Sequence, residues 1–372
     1  MTKIILNDQK YIRMTKNMII ILGDEKMKNP FNITFGELPQ SLIDRKDDIE
    51  TIKYTFNNSN PESKVYIITG PRGCGKTVLL TALIKEFEKE DYLTIDLNHF
   101  EDLNEQFAAK LYEAGKMKKL FLHHEFSFSF KGMTFSVKGD VEITNISTLI
   151  DKMLDYLKKK HKRVLVTIDD VSSNEYVKSF VFSFQQMIRN GYDVFLLMTG
   201  LYENVLKLEK NKSLTFFLRA PKLNLESLDL YEIAYLYQKL LNLDEKDAVK
   251  YSKLTKGYAY GYQLLGSLLF KYGTKKDFLI EYDKKLIQNS YSLTWEKLTN
   301  KEREILTKLS QTTNQKELCE LLKMSNGNLQ TYKKRLIDKG LIVVKERGKI
   351  DFTLPRFKQF VKIEQMFNEE DD

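Results

Sequence analysis

Cysteine is almost absent from this chain. Cys74 and Cys319 are the only two in 372 residues, at unrelated positions, which excludes a disulfide framework and a cysteine-built zinc site and fits a reducing cytosol. Long apolar runs are also missing. Near the start, Met18–Leu22 is too short for a signal-peptide core, and nothing later approaches the roughly 20 apolar residues of a membrane span. No repeat period, low-complexity tract or globally disordered stretch occurs. The expectation is a soluble cytoplasmic protein without a membrane partner. Apolar content of 42% supports real cores, and the length implies two or three domains. The formal charge of +8 either favours an anionic partner or reflects a lysine-rich proteome.

What is present begins with "ITGPRGCGKTVLL". Gly70, Pro71, Arg72, Gly73, Cys74, Gly75, Lys76 and Thr77 match glycine, four residues, glycine, lysine, then serine or threonine. Glycines let the backbone N–H groups turn inward onto phosphate, and the helix that follows aims its positive end at the same anion. Lys76 would reach the β- and γ-phosphates, and the Thr77 hydroxyl would ligate magnesium. Cys74 reads as a passenger. Downstream, "VLVTIDD" is an apolar strand ending in two carboxylates. Asp169 is suited to holding Mg2+, and Asp170 to orienting or deprotonating the attacking water. The next strand ends at Thr199-Gly200, where the threonine either senses the γ-phosphate or caps the strand. Arg219 is a candidate cation for transition-state charge, in cis or on a neighbouring subunit, or else a structural ion pair.

Strand signals at "KVYIIT", "DYLTIDL", "RVLVTIDD" and "YDVFLLMTG" alternate with helical periodicity, notably over 76–89, 146–160 and 174–190. That alternation predicts a parallel sheet with helices on both faces. Residues 125–143 break the rhythm with period-two phenylalanines around Lys131-Gly132. They predict an inserted hairpin that buries one apolar face or stacks on single-stranded bases. Residues 1–27 read as a poorly ordered arm, 28–221 as the α/β core and 222–290 as an all-α lid. The segment 291–363 reads as a third unit, and 364–372 as an acidic tail.

The third unit parses as a winged helix-turn-helix. Thr299 and Glu302 form a capping box. A second helix covers 315–323, Ser325 caps a third with Leu329, Leu336 and Ile337 inward, and two strands flank Arg347-Gly348-Lys349. Between Lys323 and Lys362, eleven Lys or Arg face three Asp or Glu, an excess of eight positive charges. Asn326, Asn328, Thr331, Lys333 and Lys334 on the third helix, with Arg347 and Lys349 on the wing, suit base edges and phosphates of double-stranded DNA. The alternative is a winged helix used for protein contacts.

These marks resemble, in order and spacing from residue 28 to 360, the prokaryotic P-loop ATPases at the AAA+/STAND border: archaeal-type ATPases and related regulators with a C-terminal winged helix. They include "NPFNITFGELPQSLIDR", the phosphate loop, "VLVTIDDV", "LLMTGLYENV", "LTFFLRAPKLNLESL", "TKGYAYGYQLLG" and "LPRF". The layout of ATPase, lid and winged helix also resembles origin-recognition and replication-initiator proteins. The resemblance implies that Leu42 to Arg45 cover the adenine of ATP or ADP from one side and Gly257-Tyr258-Ala259 from the other. Asp44 stands where the family usually has glycine, and Ala259 where it has proline. The Asp169-Asp170 pair is more STAND-like than the Asp-Glu of vigorous motors and implies a slow Mg2+-dependent ATPase. Two roles follow: an ATP-driven DNA-associated protein, or a nucleotide-dependent switch that assembles with itself or a protein partner. A metabolic kinase is disfavoured, because no acceptor-binding domain is visible.

Overall fold

The computed structural model describes residues 29–34, 39, 41, 43, 45–115, 117, 145–210, 217–274 and 278–370, with side chains as far as 367. It also describes the backbone alone of 5–6, 10–15, 18–22, 124–130, 133–137 and 141–142. Strands β1 (Ile5–Leu6), β2 (Lys10–Thr15) and β3 (Met18–Leu22) form a small antiparallel sheet in the N-terminal arm.

The α/β core alternates regularly. Helix α1 (Lys46–Asn57) precedes β4 (Val65–Thr69), α2 (Lys76–Lys89), β5 (Leu93–Leu97) and α3 (Leu103–Ala114). An inserted hairpin follows, β6 (His124–Phe130) antiparallel to β7 (Met133–Val137), with β8 (Val141–Glu142) parallel to β6. Its side chains, and so the question of base stacking, lie outside the described residues. The core then resumes with α4 (Ile146–Lys159), β9 (Val164–Ile168), α5 (Glu175–Arg189), β10 (Val194–Gly200), α6 (Tyr202–Glu209) and β11 (Lys222–Asn224).

The five core strands are all parallel, in the order β11-β4-β10-β9-β5. Both faces are covered, which is why β4, β9 and β10 are buried at every position and read as continuous apolar runs. Alternate residues serve opposite sides. Ile67, Val166 and Leu196 pack with α3, α4 and α5 through Phe107, Met153 and Phe180. Tyr66, Ile68, Leu165 and Phe195 pack with α1 and α2 through Phe56 and Phe87. The phosphate loop and the two aspartates therefore share the carboxyl edge of one sheet.

The rest is helical: α7 (Leu230–Leu241), α8 (Glu245–Thr255), α9 (Ala259–Tyr272), α10 (Leu279–Leu286), a π turn at Ile287–Tyr291, and α11 (Ser292–Glu296). Then come α12 (Asn300–Leu309), α13 (Gln315–Leu321), α14 (Asn326–Asp338), the ribbon β12 (Ile342–Glu346) and β13 (Lys349–Phe352), and α15 (Phe357–Glu370). Three helices and a two-stranded ribbon give the order of a winged helix-turn-helix. The Thr299–Glu302 capping box and the Ser325 cap are both formed. One expectation fails: Ile337 is 40% exposed instead of inward, because α14 turns that side toward the phosphate loop. At the C-terminus, α15 runs helical through Glu370.

Lid and winged helix share a single apolar core. Tyr291 packs edge-on against Phe357, and Trp295 against Phe360. The Tyr291 hydroxyl donates to Pro355 O at 2.6 Å and Arg356 Nε donates to Asp283 at 2.7 Å. From the other end of the chain, Phe31 and Ile43 enter this same core.

Candidate functional site

The loop between β4 and α2 has the shape its glycines allow. Gly73 sits at φ +76°, and a Cβ there would collide with the Tyr258 ring, so both backbone and space require glycine. Lys76 is 8% exposed. Its Nζ donates to Gly70 O at 3.0 Å and Pro71 O at 2.9 Å, so the ammonium closes the loop on itself. Cys74 is buried beneath the loop, and burial pushes its thiol up, out of nucleophilic range.

The carboxylates meet the loop directly. The Thr77 hydroxyl donates to Asp169 Oδ2 at 2.7 Å. The Thr199 hydroxyl donates to Asp169 Oδ1 and accepts from the Asp170 N–H at 2.9 Å. His99 Nδ1 lies 3.2 Å from Asp169 O. Asp170 is left-handed, φ +48°, a conformation that a non-glycine residue holds only where its surroundings impose it. Both aspartates line the cleft above the loop. Thr199 is fully buried, and its hydroxyl is committed to Asp169 and Asp170.

The cleft has a volume of about 530 Å³, within the range of small-molecule sites. Its far wall comes from the lid. The Tyr258 hydroxyl donates to Arg72 O at 2.9 Å and so accepts from Ser290 Oγ at 2.8 Å. Burial keeps that phenol protonated far above its ordinary range. The Tyr260 N–H donates to Gly73 O at 3.1 Å, and Asn289 Nδ2 to the Tyr260 hydroxyl at 2.6 Å. The apolar end is lined by Ile43, Ile49, Leu228 and Tyr262. Arg45 lies at its edge, donating to Asp48 at 3.2 Å and to Glu226 O at 2.8 Å. Leu42 and Asp44 lie outside the described residues.

For a divalent metal, the donor set is one carboxylate and one hydroxyl, Asp169 and Thr77. Among the described residues no cluster of three His, Cys, Asp or Glu forms a cage. This sparse pair fits magnesium, which keeps several waters and takes substrate phosphates as further ligands.

Arg219 lies elsewhere. It is exposed in the turn before β11 and is not part of the cleft wall. Asn326, Asn328, Thr331, Lys334, Arg347 and Lys349 are exposed on α14 and the wing. Lys333 is half-buried and donates to Gln315 at 2.9 Å, and Lys349 pairs with Glu346 at 2.8 Å.

The end of α14 touches the phosphate loop. Gly340, at φ +68°, lies so close that a Cβ would come 2.6 Å from Pro71 Cβ. The sequence alone did not mark Gly340 or Tyr258 as contacts of the loop, nor Ser290, Asn289 and His99 as parts of the site. The Gly257-Tyr258-Ala259 motif was the one signal that pointed there.

Residues 42–216 match the family model of an ATPase domain found predominantly in archaea, and residues 288–361 match a domain of unknown function (DUF8462). The chain is similar in fold to the ORC2 protein of Aeropyrum pernix, solved in ADPNP–ADP complexes. That match has 14% identity and a TM-score of 0.55, and covers 89% of this chain and 96% of that one. Cdc6p of Pyrobaculum aerophilum aligns at 13% identity and a TM-score of 0.48, covering 91% and 97%. A segment of 75 residues is 31% identical to origin recognition complex subunit 4 of Dictyostelium discoideum, covering 20% of this chain and 17% of that protein's length. The chain carries a P-loop ATPase domain.

Proposed function

We propose that this ATPase domain binds ATP with Mg2+ between sheet and lid, hydrolyses it slowly, and couples the nucleotide state to DNA binding through the C-terminal winged helix. One observation carries the reading. The lysine, threonine and first aspartate of the phosphate site converge on one loop, and Tyr258 and Tyr260 of the lid are bonded to that same loop. Lys76 would leave the carbonyls of Gly70 and Pro71 for the terminal phosphates, and backbone N–H groups of the loop would hold the others. Thr77 and Asp169 would hold magnesium, which when bound neutralises phosphate charge. Asp170 would orient or deprotonate the attacking water. Its side chain is one methylene shorter than glutamate, in keeping with slow turnover. Arg45 lies at the base end, and Arg219, remote from its own cleft, suits a neighbouring subunit in a homo-oligomer.

The winged helix supplies the DNA side. Its exposed polar and basic row on α14 and the wing matches a phosphate and groove surface. The names of the origin-recognition relatives agree with this assignment. A second reading is favoured by the Gly340–Pro71 contact: the winged helix seats on the phosphate loop as part of a STAND-like switch, and its release serves a protein partner. Among the described residues no helix is long and apolar enough to cross a membrane, and we place the protein in the cytoplasm.

The test is steady-state ATP hydrolysis with and without duplex DNA, alongside Lys76→Ala and Asp170→Asn. A DNA-dependent rate lost in both variants supports the first reading. Slow, DNA-indifferent turnover with ADP retained through purification supports the switch. Unchanged nucleotide affinity in Lys76→Ala refutes both.

A further inference from the structure

The carbonyl of Asp169 and the N–H of Asp170 belong to one peptide plane, and both of its polar groups are held by side chains from flanking strands. On one side the Thr199 hydroxyl, from β10, accepts the Asp170 N–H at 2.9 Å. On the other, His99, just past the end of β5, faces the Asp169 carbonyl with Nδ1 at 3.2 Å. A carbonyl only accepts, so Nδ1 carries the proton in this contact. The ring is itself fixed. His99 is 6% exposed, its ring packs at a tilt against Phe100 at 4.0 Å between centroids, and its backbone carbonyl accepts from Asn174 Nδ2 at 2.7 Å. Asn174 in turn caps α5 by accepting from the Val177 N–H at 2.8 Å. Beyond this plane the chain turns into the left-handed φ of Asp170. Rotation of the plane would swing the Asp170 carboxylate away from the phosphate loop.

We propose that His99 is a positioning residue for ATP hydrolysis: with Thr199 it clamps the Asp169–Asp170 peptide and so aims Asp170 at the attacking water. The proposal rests on the ATPase reading above. His99 is absent from the walls of the nucleotide cleft, so it acts on the rate and not on nucleotide binding.

Three variants test it. In asparagine the amide nitrogen is as many bonds from Cα as Nδ1 of histidine, so His99→Asn keeps the donor in place. His99→Gln moves the donor to the Nε2 position, and His99→Phe keeps the ring without a donor. Hydrolysis should fall on the order of tenfold or more in the Phe and Gln variants, since small misplacements at a reacting centre cost up to about a hundredfold. It should stay near wild type in His99→Asn. The affinity for a fluorescent ATP analogue should be unchanged in all three. Equal rates in all variants, or equal losses in Asn and Gln, overturn the proposal.

A second readout does not depend on turnover. Labelling aspartate with carbonyl-13C and amide-15N leaves signals only from the Asp–Asp peptides 47–48, 169–170 and 371–372. Asp170→Asn assigns the middle one by its disappearance. That signal should shift in His99→Phe and return in His99→Asn, and a signal that stays put in His99→Phe refutes the clamp. If the wild type shows no Lys76-dependent hydrolysis, the ATPase reading fails on its own and the peptide signal alone decides the clamp.

Discussion

Replacing Gly340 with alanine should loosen the winged helix from the phosphate loop, at a cost that can be divided into two parts. The residue is at φ +68°, and a Cβ in left-handed backbone costs about 1–2 kcal/mol. The same Cβ would meet Pro71 Cβ at 2.6 Å and Cγ at 2.7 Å, an overlap that overpacking studies put at about 1–3 kcal/mol. The sum is about 2–5 kcal/mol. Only the second part involves Pro71. Pro71→Ala retains the Cβ and should relieve little, whereas Pro71→Gly removes every clashing atom. A double-mutant cycle of Gly340→Ala with Pro71→Gly should therefore recover about 1–3 kcal/mol and leave the backbone part in place. Urea unfolding followed by tryptophan fluorescence is the assay. The single tryptophan, Trp295, is buried in the core shared by lid and winged helix. Additivity within about 0.5 kcal/mol would show that the two residues do not touch, and the coupling between phosphate loop and winged helix would lose its structural basis.

Other substitutions probe separate links. Tyr258→Phe strands Arg72 O and the Ser290 hydroxyl and should cost about 1–3 kcal/mol in urea unfolding; a change below about 0.5 kcal/mol would mean the hydroxyl is not used. Burial alone would raise the Glu302 pKa, but the Lys339 ammonium at 2.9 Å from both oxygens and the Thr299 N–H hold it below the ordinary carboxylate range. A depressed folded pKa stabilises above the unfolded value, so this contribution is present at neutral pH. It should be lost progressively as pH falls below the ordinary glutamate value, about 4.3, and through the lowered folded value, and Glu302→Gln should flatten the pH–stability curve there. Lys334→Ala and Arg347→Ala should each weaken duplex binding and lower the salt slope by about one unit; unchanged slopes would favour the protein-contact reading.

Local chemistry was readable because it is written locally. The phosphate loop, the helix starting at Lys76, the Thr299–Glu302 box and the Ser325 cap each depend on residues within a few positions of one another. Strand order is set by packing over more than a hundred residues, so periodicity alone could not place β10 between β4 and β9. The same distance hid the merger of lid and winged helix, which rests on Tyr291 meeting Phe357 and Arg356 meeting Asp283. Ile337 looked inward by helical spacing, and the phosphate loop beneath that face could not be anticipated. Thr199 was expected either to sense phosphate or to cap its strand. Its bonds to Asp169 and Asp170 depend on the parallel register between β9 and β10, which no single segment encodes.

Ahead of α1, Asn29, Asn32 and Ser41 are fastened to the lid. Asn29 donates to Ser267 at 2.9 Å, the Asn32 N–H to Gln263 at 3.0 Å, and the Tyr262 hydroxyl to Ser41 O at 2.9 Å. The chain thus passes from the lid side into the core near Arg45 and returns to the lid near Glu226, and Arg45 bonds these two crossings together at 2.8 Å. Two adjacent crossings make a line, as hinges do on a jamb, and the contacts of Tyr258, Tyr260 and Gly340 with the phosphate loop latch the same body against the core. Rotation about that line would have to break those contacts first.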